Sequence, residues 1–144
     1  MLSVSPTNSY QIRLPEDILQ KHEDGVSSFW RPSSHSALQL SSYTRDAGAQ
    51  VTAEQRLRER MELTGSDWAP LREFHSTTSP DFAAATLTNE DGWVWTHVYL
   101  VWPDLAVYAT ISKPPYEDRD AASWAIEAVE NINRSTRRVD GLIG

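Results

Sequence analysis

Two apolar runs, 93–102 and 105–112, are separated only by Pro103-Asp104. Parallel strands need a crossover of a dozen residues or more, so a link this short commits the two runs to an antiparallel hairpin. With Pro103-Asp104 as a two-residue loop, Trp102 pairs with Leu105, Leu100 with Val107, Val98 with Ala109 and Thr96 with Ile111. Side chains alternate across a strand. One face of the hairpin therefore reads Val94, Val98, Leu100, Trp102, Leu105, Val107, Ala109, Ile111. That face is almost wholly aliphatic and must be covered, with the C-terminal helix as the expected cover. The opposite face reads Trp93, Trp95, His97, Tyr99, Tyr108, Thr110, Ser112. Aromatic rings with polar handles suit a half-wet surface that meets a partner. Under a second layer, such as the first helix or a 16–25 loop, the same residues are ordinary core.

The preceding link, Asn89-Glu90-Asp91-Gly92, also demands antiparallel neighbours. Read as a four-residue loop, it adds Ala83, Ala85 and Leu87 to the aliphatic face. Phe82, Ala84 and Thr86 then join the aromatic one. Small alanines on the aliphatic side would let a helix approach closely.

The rest of the chain reads in the same terms. Tyr10, Ile12 and Leu14 alternate with Gln11 and Arg13 until Pro15 ends the run. Residues 16–25 are charged and end in the turn signal Asp24-Gly25. Strands are expected at 26–31, 37–43, 71–76 and 81–88. Thr52 and Gln55 have the spacing of a capping box. Ala53, Leu57 and Met61 then form a narrow apolar stripe, and Gly65 stands at the C-cap position. That helix is expected on the outside of the sheet. A last helix is expected from about Asp118 to Asn133, with Glu117, Asp118 and Asp120 at its positive end. Its apolar face is Ala121, Trp124, Ala125, Ala128, Val129 and Ile132.

At 144 residues the chain has the length of one domain, 1–144, with a core over about 10–133 and a frayed basic tail over 134–144. The fold class is α+β: an antiparallel meander of about six to seven strands flanked by two main helices. Twenty acidic residues against thirteen basic ones give a net charge of −7, which argues against nucleic acid and anionic membranes as partners. No cysteine is present, so thiolate metal sites, disulfides and thiol catalysis are excluded. The first ten residues carry neither positive charge nor an apolar run, and no segment reads as a membrane span, so the expected location is the cytoplasm.

The order Tyr10-x-Ile12-x-Leu14-Pro15, hairpin, helix opened by Thr52-Ala53-Glu54, meander with Asp91-Gly92, and last helix ending Ala128-Val129-Glu130-Asn131-Ile132 resembles the Mog/PsbP-like superfamily. Within it, the resemblance is to the bacterial domain of the DcrB-like lipoproteins and the Eag-type adaptors of type VI secretion. It spans about residues 10–133. It implies an antiparallel sheet flanked by helices, and members that mostly bind proteins rather than catalyse. No catalytic residues transfer with it, because the superfamily has no shared catalytic set.

Signatures of catalysis are missing from the sequence: there is no Gly-x-Ser-x-Gly elbow, phosphate-binding glycine loop or His-Glu-x-x-His. His22, His35, His75 and His97 are scattered without metal-ligand spacing. The expectation is a protein-binding adaptor or chaperone without cofactor or metal, anchoring its partner through Trp93, Trp95, His97, Tyr99 and Tyr108. An exposed aromatic face would equally serve a homodimer. Two alternatives stay open. One is a toxin-neutralising immunity protein, whose acidic balance would suit a basic partner. The other is a small-molecule binder or hydrolase with a pocket around His97.

Overall fold

A computed structural model of the protein describes residues 1–45, 50–65 and 67–134. The elements in chain order are β1 (Leu2–Thr7), β2 (Tyr10–Leu14), β3 (Leu19–Glu23), β4 (Val26–Trp30), β5 (Ala37–Thr44), α1 (Ala53–Thr64), β6 (Ala69–Pro70), β7 (Asp81–Thr88), β8 (Val94–Trp102), β9 (Leu105–Lys113), α2 (Ser123–Glu130) and β10 (Asn133–Arg134). Seven strands form one antiparallel sheet in the order β3-β4-β5-β9-β8-β7-β6, and β1-β2-β10 form a second, smaller one. The architecture is α+β, as the sequence implied.

The β8–β9 hairpin has the expected register throughout, from Trp102↔Leu105 to Thr96↔Ile111. Its aliphatic face carries the main core. Val98, Leu100, Val107 and Ala109 meet Phe29, Leu38 and Leu40 from β4 and β5. The cover is shared. Trp124, Ala125, Ala128 and Val129 of α2 pack there, and so do Tyr10, Ile12 and Leu14 of the small sheet. All seven of these residues are at most 6% exposed.

The β7–β8 link differs from expectation by one residue. Asn89 N–H donates to the Trp93 carbonyl, so the loop is the three residues Glu90, Asp91 and Gly92. Gly92 takes φ +83, the left-handed position such a loop requires. The Asn89 side-chain oxygen accepts from the N–H groups of Asp91 and Trp93 and fixes the turn. An odd loop length reverses the facing of the whole strand. Phe82, Ala84 and Thr86 therefore sit on the aliphatic side, and Ala83, Ala85 and Leu87 face the aromatic side. The alanines do admit a close-packed helix, but it is α1 rather than α2.

α1 forms as its sequence predicts. Thr52 Oγ1 accepts from Gln55 N–H, and Gln55 Oε1 accepts from Thr52 N–H. Gly65 closes the helix at φ +66. Ala53, Leu57 and Met61 are buried against Ala85, Leu87, Tyr99, Val101 and Ala106. This second core lies on the opposite face of the sheet from the first.

Four further expectations are corrected. Residues 71–76 do not form a strand: the extended pairing stops at Ala69–Pro70, and the chain turns away at Leu71. The charged 16–25 stretch contains the edge strand β3, paired to β4 through the Asp24-Gly25 turn. A strand edge facing water tolerates Lys21, His22 and Glu23, which is why charge disguised it. α2 begins at Ser123 rather than near Asp118: Glu117 bonds the loop before β5, and 119–122 are turns. Of the expected tail 134–144, only Arg134 is described, and it belongs to a strand. Arg134 pairs with Tyr10 in β10 and bonds Asp104, while 135–144 lie outside the described residues.

Candidate partner-binding face

The face under α1 divides into a covered half and an open half. α1 lies across β7 and β8. Beneath it Tyr99 is 4% exposed and His97 8%. Trp93, Trp95 and Tyr108 are half-buried, with Trp93 in the loop closure rather than in β8. Of the five expected partner-binding residues, His97 and Tyr99 thus belong to covered structure, and the other three border open surface.

His97, Tyr99 and Tyr108 form one network with Arg60 of α1. The His97 Nδ1 and the Tyr108 hydroxyl are 2.6 Å apart. The Tyr99 and Tyr108 rings stack at 4.7 Å. Arg60 Nε donates to the Tyr99 hydroxyl at 3.3 Å, and its guanidinium lies over the Tyr108 ring. Burial, with Arg60 assisting, pulls the His97 pKa below its ordinary value. Burial pushes the Tyr108 phenol up to about 12, against the pull of Arg60. The hydrogen bond to Tyr99 raises the Arg60 pKa. At neutral pH the His97 imidazole and the Tyr108 phenol are neutral and Arg60 is the cation of the network. Among the described residues no carboxylate bonds His97. The groups the network presents are ring faces, hydroxyls and a positive charge.

The open half follows from register. Leu19 pairs with Trp30, Trp30 with Ala37, Ala37 with Ser112 and Ser112 with Trp95. All five share one face in one row across five strands. Strands lie about 4.8 Å apart, so the two tryptophans stand roughly 14 Å apart, three strands from one another. In that row only the half-buried Ala37 and Ser112, itself 8% exposed, lie between them, so the trough between the two half-buried indoles is shallow. The neighbouring rows add Ser28, Gln39, Thr110, Ser41 and Tyr108. One edge of α1 borders this floor. Arg56 sits over the ring of the exposed Tyr43, and Arg60 over Tyr108. Neither arginine has a carboxylate partner among the described residues.

Sequence reasoning missed Trp30, Arg56 and Arg60 as members of this face. Trp30 follows Phe29 in a short strand, and only register shows which of the two points inward. Arg56 and Arg60 were legible as an i, i+4 pair one position before Leu57 and Met61, hence on the rim of the buried stripe.

His22, one of the four scattered histidines, bonds Ser27 and Gln20 across and along the β3–β4 hairpin. Among the described residues no three His, Asp or Glu side chains group as a metal site, and no helix is long and apolar enough to cross a membrane.

No family model and no curated protein matches the chain. Solved structures do. A point mutant of the protein Mog1 superposes with a TM-score of 0.59 at 11% identity, over 96% of this chain and 97% of that one. A crystal structure from Bacteroides thetaiotaomicron also gives 0.59, at 14% identity, over 87% of this chain; the chain spans 44% of that protein's length. At these identities the likeness is one of fold, and the fold is Mog/PsbP-like.

Proposed function

We propose that the protein is a non-catalytic binding domain, an adaptor or chaperone that docks a partner protein on the open half of its large sheet. The observation that carries this is the trough between Trp30 and Trp95, floored by small residues and bordered by Arg56 and Arg60. Rigid aromatic anchors beside arginines are the composition of binding hot spots. The local charge is positive although the chain total is −7. The segment that docks is therefore apolar with acidic flanks, and charge complementarity sets its register. This favours an adaptor over a neutraliser of basic toxins, whose partner would meet the wrong sign here. Trp93, Trp95 and Tyr108 remain in the proposed surface; His97 and Tyr99 support it from below. The Mog/PsbP-like fold is compatible with this role, which the superfamily resemblance implied.

The test is site-specific photocrosslinking in the native host. A photoreactive residue in place of Gln39, which is exposed on the trough floor, should capture one discrete partner. The same residue in place of Glu62, on the outer side of α1, should not. Arg56→Glu should abolish the Gln39 capture without lowering the melting temperature. Identical capture from both positions, or capture indifferent to Arg56→Glu, would place the interface elsewhere.

A further inference from the structure

On the other side of α1, away from Arg56 and Arg60, a crevice of about 270 Å³ opens between the helix, the outer part of β7 and the 68–75 segment. It exists because the 71–76 stretch leaves the sheet edge. Leu71 N–H still donates to the Ala84 carbonyl, but beyond it the chain turns off the ladder to bury Phe74 in the main core, and Phe82 and Ala83 stay half-buried. The outer wall is fixed at its far end: the N–H groups of His75 and Thr77 donate to the Glu130 carboxylate and carbonyl of α2.

Its lining combines two chemistries. Trp68, Phe74 and Phe82 supply ring surface, with Phe74 and Phe82 edge to face at 5.8 Å. Arg58, Arg72 and His75 supply donor groups at the rim, beside the carboxylate of Glu54 in the lining and that of Glu130, which holds the His75 N–H. Glu54 is taken by Arg58, 3.1 Å away, whose guanidinium also lies over the Trp68 ring. Arg72 is exposed and has no hydrogen bond or ion pair among the described residues. Among the described residues, Arg72 is thus the guanidinium left for a ligand at the mouth of an aromatic slot.

We infer that this crevice is a small-molecule site for a planar aromatic carboxylate, its rings between Trp68 and Phe82 and its carboxylate on Arg72. The volume falls just under the roughly 300–1,000 Å³ of pockets for drug-sized ligands, which suits one or two rings. Arginine recognises carboxylates through paired donors, and a planar ring gains from aromatic walls at little entropic cost. This site is independent of the partner-binding trough.

The probes are 1-naphthylacetate, its neutral amide and 1-naphthylmethylamine, titrated into isotope-labelled protein by NMR and followed at the Trp68 indole N–H, assigned with Trp68→Phe. The acid should bind saturably and move that signal, with the amide and amine at least about tenfold weaker. Arg72→Ala should weaken the acid by about tenfold and leave the amide unchanged, since a charge-assisted hydrogen bond is lost from one and not from the other. Arg72 is exposed, so its removal leaves folding intact, which the melting curve checks. Equal binding of all three probes, an unmoved Trp68 signal, or no saturation up to about 1 mM would each overturn the assignment.

Discussion

His97 and Tyr108, diagonal neighbours on adjacent strands, are joined by a 2.6 Å hydrogen bond between the imidazole Nδ1 and the phenol oxygen. The bond satisfies a histidine that α1 has shut away from water. It also ties the covered half of the sheet face to the open half, because Tyr108 borders the trough.

The burial of His97 makes stability depend on pH in one direction. His97 has a folded pKa below its ordinary value of 6.5, through burial and then the nearby Arg60; Tyr108 stacks on it, with Tyr99 stacked on Tyr108 in turn. Between the two values the unfolded chain binds a proton that the folded chain refuses, so stability falls as pH drops below about 6.5 and levels off below the folded pKa. Melting temperatures of the parent and His97→Gln from pH 5 to 8 check this. The variant should show a shallower decline; parallel curves would refute it.

Trp124 should be the costliest single residue of α2. It is 6% exposed in the main core, with Arg31 near its ring. Trp124→Ala is expected to cost about 3–5 kcal/mol in denaturant unfolding, as large-to-small aromatic changes in cores do. Its indole N–H has no acceptor among the described residues. Trp124→Phe should therefore cost less than half as much, removing ring volume but no hydrogen bond. Equal penalties for the two would mean the N–H is engaged.

Glu117 clips two distant loops together. Its carboxylate accepts from Ser34 Oγ, Ser36 Oγ and His35 N–H, all at 2.7–2.8 Å, across more than eighty residues of chain. Burial acts to raise its pKa, but these donors outweigh it and hold the carboxyl low. A depressed carboxyl stabilises above its unfolded pKa and loses that contribution as pH falls through the folded one. Glu117→Gln should lower stability by about 1–3 kcal/mol at neutral pH, since Ser36 is fully buried and loses a charged acceptor. The deficit relative to the parent should shrink below about pH 4.5. A deficit constant down to pH 3 would deny the carboxylate its role.

The caps of α1 should carry measurable stability. Thr52→Ala breaks the capping box and is expected to cost about 1 kcal/mol. Gly65→Ala meets no atom within 4 Å, yet forces a side chain into φ +66, for a loss of about 1–2 kcal/mol. Helical content near the unfolding midpoint reports both. An unchanged midpoint for either would mean that packing alone holds the helix.

What the sequence determined was whatever depends on neighbours a few residues apart. The Pro103-Asp104 hairpin, the Thr52–Gln55 cap and the stripe Ala53, Leu57, Met61 are local patterns with one low-energy solution each, and they stand as read. The α+β class follows from their order. The tertiary structure decided what turns on a single residue of register or on which layer arrives first. Asn89 closes a three-residue rather than a four-residue loop, and β7 reverses. β3 reads as a solvated loop because an edge strand keeps water on its free side. Residues 71–76 have strand composition, but the chain turns at Leu71 and buries Phe74 in the main core instead of extending the edge strand. The fate of the aromatic face was the least legible. Tyr99 and Tyr108 have the same residue type on the same face, paired across two strands. One is core and the other borders open surface because α1 ends its reach between them. No spacing along the chain records where a helix stops covering a sheet; only the packed layers do.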